Sequence, residues 1–335
     1  MQSSESGVRL RRLAASDLER VVAIDAAAAG RSRRAYFERR LAAALRDPAY
    51  HVQFAAEGAS GLAGFVLARV LAGEFGHEQP ALALEVIGVD PAYQGQRAGA
   101  RLLDALESEA RQRGVRELWT QVSWRQDRML RFLARSGFAL ASPQVLECPV
   151  HGGAYGVGAE APARPADQER HEIDYSAPAA NDYEKLARDV REVRSMVPGD
   201  LEAIARIDRK LTGRERRGYI ERRLEEALGQ SAIRVSLVAR CEDALAGYAM
   251  ARIDFGDFGR VEPAAVLDTI GVDPDYARRG VGAALLSQLF VNLAALGIEW
   301  VETRVARDDF ELLGFLYRAG FCRSPRLAFA KRLEG

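Results

Sequence analysis

The sequence predicts an α/β protein, of the α+β kind in its layering, made of two tandem domains. Three observations predict it. The 335 residues suffice for two ordinary domains, each with its own core. One half of the chain repeats the other in a single register. Within each repeat, stretches with the alternation of strands change places with stretches of helical period.

The register never shifts. Asp17-Leu18 matches Asp200-Leu201, an offset of 183. "IDAAAAGRSRRAYFERRLAAAL" (Ile24–Leu45) matches "IDRKLTGRERRGYIERRLEEAL" (Ile207–Leu228) at that offset, and Ala72–Pro80 matches Phe255–Pro263. Ile87–Tyr93 matches Ile270–Tyr276, and Phe132–Phe138 matches Phe315–Phe321. So constant an offset excludes chance similarity, and the period is far too long for a solenoid. The chain reads as a duplicated domain over residues 8–150 and 191–335. Residues 151–190 between them begin rich in Gly, Ala and Pro, the composition of a linker. Their end, "NDYEKLARDVREV" (Asn181–Val193), has the pattern of a short helix.

Each element of the first repeat has its reason. "VRLRRLA" (Val8–Ala14) alternates like a half-buried strand. Ser16, with Glu19 three residues later, reads as a capping box opening a helix. A second helix over Arg33–Arg46 has Tyr36, Phe37, Leu41, Ala44 and Leu45 near helical spacing. Tyr50–Glu57 and Gly61–Leu71 read as strands about a turn, and Leu82–Val89 as the fourth strand. Gly95–Ala100 reads as a loop, Ala100–Gly114 as a helix and Glu117–Ser123 as the fifth strand. A helix over Asp127–Gly137 and closing strands within Ala139–Val150 complete the unit.

Composition excludes several classes. Apolar residues make up 48 % and charged residues 28 %, ordinary for a globular protein. Lys+Arg and Asp+Glu both total 47, so no basic excess points to nucleic acid. No apolar run approaches a membrane span, and the N-terminal stretch has no signal-peptide core. The three cysteines, Cys148, Cys241 and Cys322, are scattered, which fits a reducing cytoplasm. The four histidines, His51, His77, His151 and His171, are dispersed too, so no metal site is expected.

The chemistry concentrates where the fourth strand meets the next helix. In the second repeat this is "VLDTIGVDPDYARRGVGAALLSQL" (Val266–Leu289). Backbone N–H groups of a Gly-rich turn converge on an anion, and the following helix adds its positive end. Arg278 and Arg279 add cationic donors suited to phosphate.

In this stretch the sequence resembles the GNAT superfamily of N-acetyltransferases. The matching pattern is V-x-P-x-Y, then Q/R-x-x-G-x-G/A, supplied by Val272, Pro274, Tyr276, Gly280 and Gly282. Farther on, "VARDDFELLGFLYRAGF" (Val305–Phe321) resembles the family's last motif, a strand and a helix ending in Gly-Phe. The resemblance covers both repeats. It implies two tandem acyl-CoA N-acyltransferase domains, each a mixed, mostly antiparallel twisted sheet flanked by helices. It further implies acetyl-CoA as acyl donor and no metal. The backbone of Ile270, Gly271 and Val272 would pair with the pantetheine arm, and the amides of Arg278, Arg279, Gly280, Val281, Gly282 and Ala283 would hold the pyrophosphate. Ala277 stands where the family has Gln or Arg, with Arg278 one place late.

Amine acetylation needs a base, a polarised carbonyl and an acid for the departing thiolate. The family often supplies that acid as a tyrosine in F-Y-x-x-x-G-F. Leu316 holds the tyrosine's place here and Tyr317 follows it, so Tyr317 is the candidate acid. Asp268 and Glu302, carboxylates on apolar strands, are the candidate bases. Asp309 stands where the family often has a cofactor-contacting Asn, and equally suits a helix cap. The repeats are unequal. Arg97 replaces the first loop glycine, where it would crowd a pyrophosphate, and Leu133 and Ala134 offer no tyrosine. The first domain is therefore expected to be degenerate and the second catalytic. Acceptor choice is assigned to the charged helix Arg214–Glu226, whose alternating signs read as a solvated face, and to Asp254–Pro263. The expected partner is an amine, a protein lysine or N-terminus or a small molecule, with neither nucleic acid nor membrane. Monomer and homodimer stay open. The alternative is a non-catalytic acyl-CoA-binding or scaffold protein of the same fold.

Overall fold

The computed structural model describes residues 8–71, 73–74, 80–151, 192–229, 235–242, 244–260 and 262–334. The first repeat runs β1 (Arg9–Arg12), α1 (Leu18–Ala29), α2 (Arg34–Arg46), β2 (His51–Gly58), β3 (Gly61–Leu71) and β4 (Ala81–Val89). It continues through α3 (Ala98–Gln112), β5 (Glu117–Ser123), α4 (Asp127–Arg135), β6 (Ala139–Leu140) and β7 (Gln144–Pro149). The second repeat follows the same order: β8 (Glu192–Ser195), α5 (Leu201–Thr212), α6 (Arg217–Gly229), β9 (Leu237–Cys241), β10 (Ala244–Asp254) and β11 (Ala264–Val272). Then come α7 (Val281–Ala295), β12 (Trp300–Val305), α8 (Phe310–Arg318), β13 (Cys322–Arg323) and β14 (Arg326–Arg332). No helix among the described residues is long and apolar enough to cross a membrane.

The strands form two seven-stranded mixed sheets, ordered β1-β2-β3-β4-β5-β14-β6 and β13-β7-β12-β11-β10-β9-β8. Parallel pairing joins β4 to β5 and β11 to β12. The other ladders of the first sheet are antiparallel. The sheets do not respect the repeat boundary. Strand β14 of the second repeat runs beside β5 along its whole length, from Arg326 opposite Ser123 to Arg332 opposite Glu117. Strand β7 of the first repeat lies between β13 and β12. The compact units follow this exchange. Unit 1 holds Met1–Val145, Phe255–Glu262 and Pro325–Gly335; unit 2 holds Leu146–Asp254 and Pro263–Ser324.

Helical spacing places the apolar faces. In unit 1, Leu102, Leu106 and Ala110 of α3 pack on Val66, Leu82 and Leu118 from one side of the sheet. Val21, Ile24, Phe37 and Leu41 of α1 and α2 cover Phe65, Leu67 and Val86 on the other. Each fully buried Leu or Phe contributes about 1.5–3 kcal/mol. In unit 2, Ile204, Ile207, Ile220 and Leu224 of α5 and α6 cover Val238, Tyr248 and Met250.

Four local expectations change. No capping box links Ser16 and Glu19. Asp17 takes the capping role by accepting the Ala14 N–H at 2.8 Å, because both guanidinium ends of Arg11 hold it there. Leu45 is exposed, and Arg40 takes the buried face of α2. Helix α3 starts at Ala98, so Gly99 and Ala100 form its first turn. Of the expected helix Asn181–Val193, residues 181–191 lie outside the described residues, while Glu192 and Val193 open strand β8.

Candidate active site

Strand β11 carries a bulge. Against β10, Met250 faces Thr269 and Ala251 faces Leu267, so Asp268 is the extra residue. A bulge re-aims its side chain and sharpens the local twist. Strand β4 repeats this: Leu67 faces Val86 and Ala68 faces Leu84, leaving Glu85 extra. Beyond the bulge the strands part. Only Ala265 with Val301 and Val266 with Glu302 pair β11 to β12 among the described residues. Thr303 closes the fork by donating its hydroxyl to the Leu267 carbonyl at 2.8 Å, as Thr120 does to Leu84 in unit 1. Ile270, Gly271 and Val272 thus pair with β10 on one edge and have no β12 partner on the other. An open strand edge of this kind accepts an extended, amide-bearing ligand.

The cradle follows directly. Asp273 accepts the Asp275 N–H, and Tyr276 N–H closes the turn onto the Asp273 carbonyl at 2.8 Å. Arg278 (φ 61°) and Gly280 (φ 80°) then take left-handed conformations, and α7 starts at Val281. Gly282 is tightly packed for a different reason: a Cβ there would lie 3.1 Å from the ring of Phe315 on α8, which would have to give by a few tenths of an ångström. Unit 1 has the same backbone with the residues exchanged. Gly95 (φ 79°) stands opposite Arg278, and Arg97 (φ 62°) opposite Gly280. Arg97 therefore leaves the path of the loop intact, and its effect is confined to its side chain.

Both candidate bases are buried in unit 2, Asp268 at 2 % exposure and Glu302 at 3 %. Asp268 Oδ2 faces Arg252 Nε at 3.3 Å and Arg223 Nη1 at 3.9 Å. Its Oδ1 is buried and accepts no hydrogen bond among the described residues. In unit 1 Glu85 is gripped more closely, by Arg40 at 2.6 Å and Arg69 at 2.7 Å. Sequence reasoning missed these arginines. Arg223 is buried and Arg216 pairs at 2.5 Å with the buried Asp208, so the helix Arg214–Glu226 is not a purely solvated face. The available signal was the repeat itself, which keeps Arg40 as Arg223 and Arg69 as Arg252.

Helix α8 separates the remaining candidates. Phe315 points at the cradle helix and Leu316 is fully buried. Tyr317 lies two residues past Phe315, about 200° around the helix, and is 42 % exposed. The structure thus sets Tyr317 on a different face of α8 from Phe315. The cause is the one-residue displacement from Leu316. Asp309 accepts the Leu312 N–H at 3.1 Å and so caps α8. Of the two segments assigned to acceptor choice, Phe255–Glu262 packs in unit 1.

The acetyltransferase (GNAT) family model matches residues 18–138 and 202–321. The chain belongs to that family. Mycothiol acetyltransferase of Clavibacter michiganensis subsp. michiganensis (strain NCPPB 382) is 36 % identical over 110 residues, 32 % of this chain and 33 % of that protein. The same enzyme of Clavibacter sepedonicus matches at the same identity and coverage. The match thus spans about a third of these relatives. Among solved structures, a tandem GNAT protein from the clavulanic acid biosynthesis pathway superposes with a TM-score of 0.63 at 16 % identity, over 98 % of this chain and 99 % of that one. The GCN5-related N-acetyltransferase from Sphaerobacter thermophilus superposes at 0.57 and 18 % identity, over 98 % and 96 %. At such identities the likeness is one of fold.

Proposed function

We propose that this GNAT protein transfers the acetyl group of acetyl-CoA to a primary amine, and that unit 2 performs the reaction. The observation that carries the reading is the open edge of β11, which leads from the bulge at Asp268 to the cradle at Gly280. Pantetheine amides would pair with Ile270–Val272, and the pyrophosphate would meet the first amides of α7, with Arg278 and Arg279 beside it. Acetyl-CoA supplies the activated thioester.

The residues then divide the work. The amine attacks the thioester carbonyl, whose oxygen is polarised by N–H groups on the open edge of β11. Asp268 Oδ1 takes the proton the amine loses, directly or through one water. With Tyr317 on the outer side of α8, water supplies the proton to the departing thiolate. Leu316 favours the second reading, an acyl-CoA-binding protein without turnover.

The test is an acceptor screen with labelled acetyl-CoA and the full chain. Its arms are polyamines, lysine peptides, peptide N-termini, amino sugars and the acceptor of a mycothiol acetyltransferase. An N-acetylated product supports the reading and names the acceptor class. Acetyl-CoA binding without product in any arm selects the second.

A further inference from the structure

We propose that Phe258 is a specificity-determining residue: it closes the acceptor face of unit 1 and so withholds that unit's cradle from an amine. This rests on the reading above, that transfer occurs where the fourth strand of a unit parts from the fifth. The donor reaches that fork from the side of α3 or α7. The amine must then arrive on the opposite face, where α2 and the bulge carboxylate Glu85 lie in unit 1.

In unit 1 that face is filled by the chain itself. The Phe258 ring meets the Trp119 indole edge-on, with centroids 5.4 Å apart and planes at 85°. It packs with Ala81 and Ala83 of β4 and Ala328 of β14. Its neighbours are anchored one by one. Tyr36 Oη donates to Asp257 Oδ1 at 2.9 Å. Arg33 donates to the carbonyls of Gly256 and Arg260. Arg326 Nη2 donates to the Phe258 carbonyl at 2.7 Å. Gly256 lies close against the Tyr36 ring, where a Cβ would come within 2.7 Å of Cγ.

Phe258 accepts strain to be there. Its φ of 56° and ψ of 34° put a bulky side chain in the left-handed region. Such a conformation persists only when the surroundings over-determine it. Trp119 completes the pairing. Its repeat equivalent is Glu302, so the chain carries an indole where Phe258 lands and a carboxylate at the matching point of unit 2. This closure is independent of Arg97, which bears on the donor side.

The test reads access to Trp119 and needs no turnover. In the full chain Trp124→Phe and Trp300→Phe remove the two exposed tryptophans and leave Trp119 as the only indole. Acrylamide, a neutral probe as small as the smallest acceptors, then quenches its fluorescence only where the face is open. The expected result is weak quenching with Phe258 present and a severalfold rise in the quenching constant in Phe258→Ala. Should that variant fail to fold, Tyr36→Phe removes one anchor and is expected to raise quenching to a smaller extent. Strong quenching with Phe258 in place overturns the proposal, as does unchanged shielding in a folded Phe258→Ala chain. A shielded Trp119 in a chain that acetylates no amine sinks the transfer reading and leaves the closure of this face standing.

Discussion

Asp268 and Glu85 sit on the same bulge of their units and differ by one methylene. The longer side chain reaches both of its arginines at 2.6 and 2.7 Å, while the shorter stops at 3.3 and 3.9 Å. Glu85 is thereby bound into an ion-paired core, and Asp268 leaves Oδ1 without a hydrogen bond among the described residues. A catalytic acid is worth about 10²–10⁴-fold in rate. Tyr317→Phe is expected to leave turnover close to that of the unaltered chain; a loss of that size would restore Tyr317 as the acid. His51, on β2 of unit 1, gives a pH signature. Burial, then the charges of Arg40 and Arg69, push its imidazole from 6.5 down to about 3, with Asp257 opposing and Arg46 adding slightly. Its neutral form is the one that folds. The contribution is full above pH 6.5 and is lost as pH falls towards 3. Melting temperatures measured across that window should drop with acid, and His51→Gln should flatten the slope; an equally steep slope would contradict the assignment.

At the scale of the element, the cradle is held from behind by α5. Lys210 Nζ donates to Asp273 at 2.9 and 3.0 Å and to Asp275 at 2.9 Å. Burial works to raise the Asp273 carboxyl, but Lys210 and the Asp275 amide outweigh it and hold it below its usual value. In unit 1 the equivalent Asp90 is bound by Arg20 of α1. Lys210→Met should weaken acetyl-CoA binding severalfold in calorimetry with kcat little changed, and Lys210→Arg should restore it. An unaltered affinity would remove Lys210 from the support of the cradle. The elements themselves were largely legible. Strand β5 falls on the expected residues Glu117–Ser123, because its period and bounding turns are local properties. The cradle was legible for the same reason. The bulges were not, since a bulge is defined by the partner strand. Arg223 was misread as part of a solvated face and Arg40 was passed over, because a buried arginine looks like a surface charge until its carboxylate is in place.

At the scale of the whole molecule, β7 and β14 have traded sheets. They occupy matching positions in the two repeats, so either could complete either ladder, and no local pattern tells which does. Residues 1–150 alone lack β14, which separates β5 from β6. In that fragment only β7 is left to complete the ladder beside β5, so its melting transition by circular dichroism is expected below that of the full chain; an equal or higher one would mean that the repeat does not need its exchanged strand. On the reading proposed above, Arg97 and Phe258 handicap unit 1, and unit 2, with Gly280 and Asp268, carries the reaction. Acetyl transfer to an amine by a full chain carrying Gly280→Arg tests this most directly. Arg97 already occupies the same left-handed backbone position, so the variant should fold. The expected result is a folded protein whose acetylated product falls to background. Product formed at the rate of the unaltered chain would contradict the placement of the reaction in unit 2.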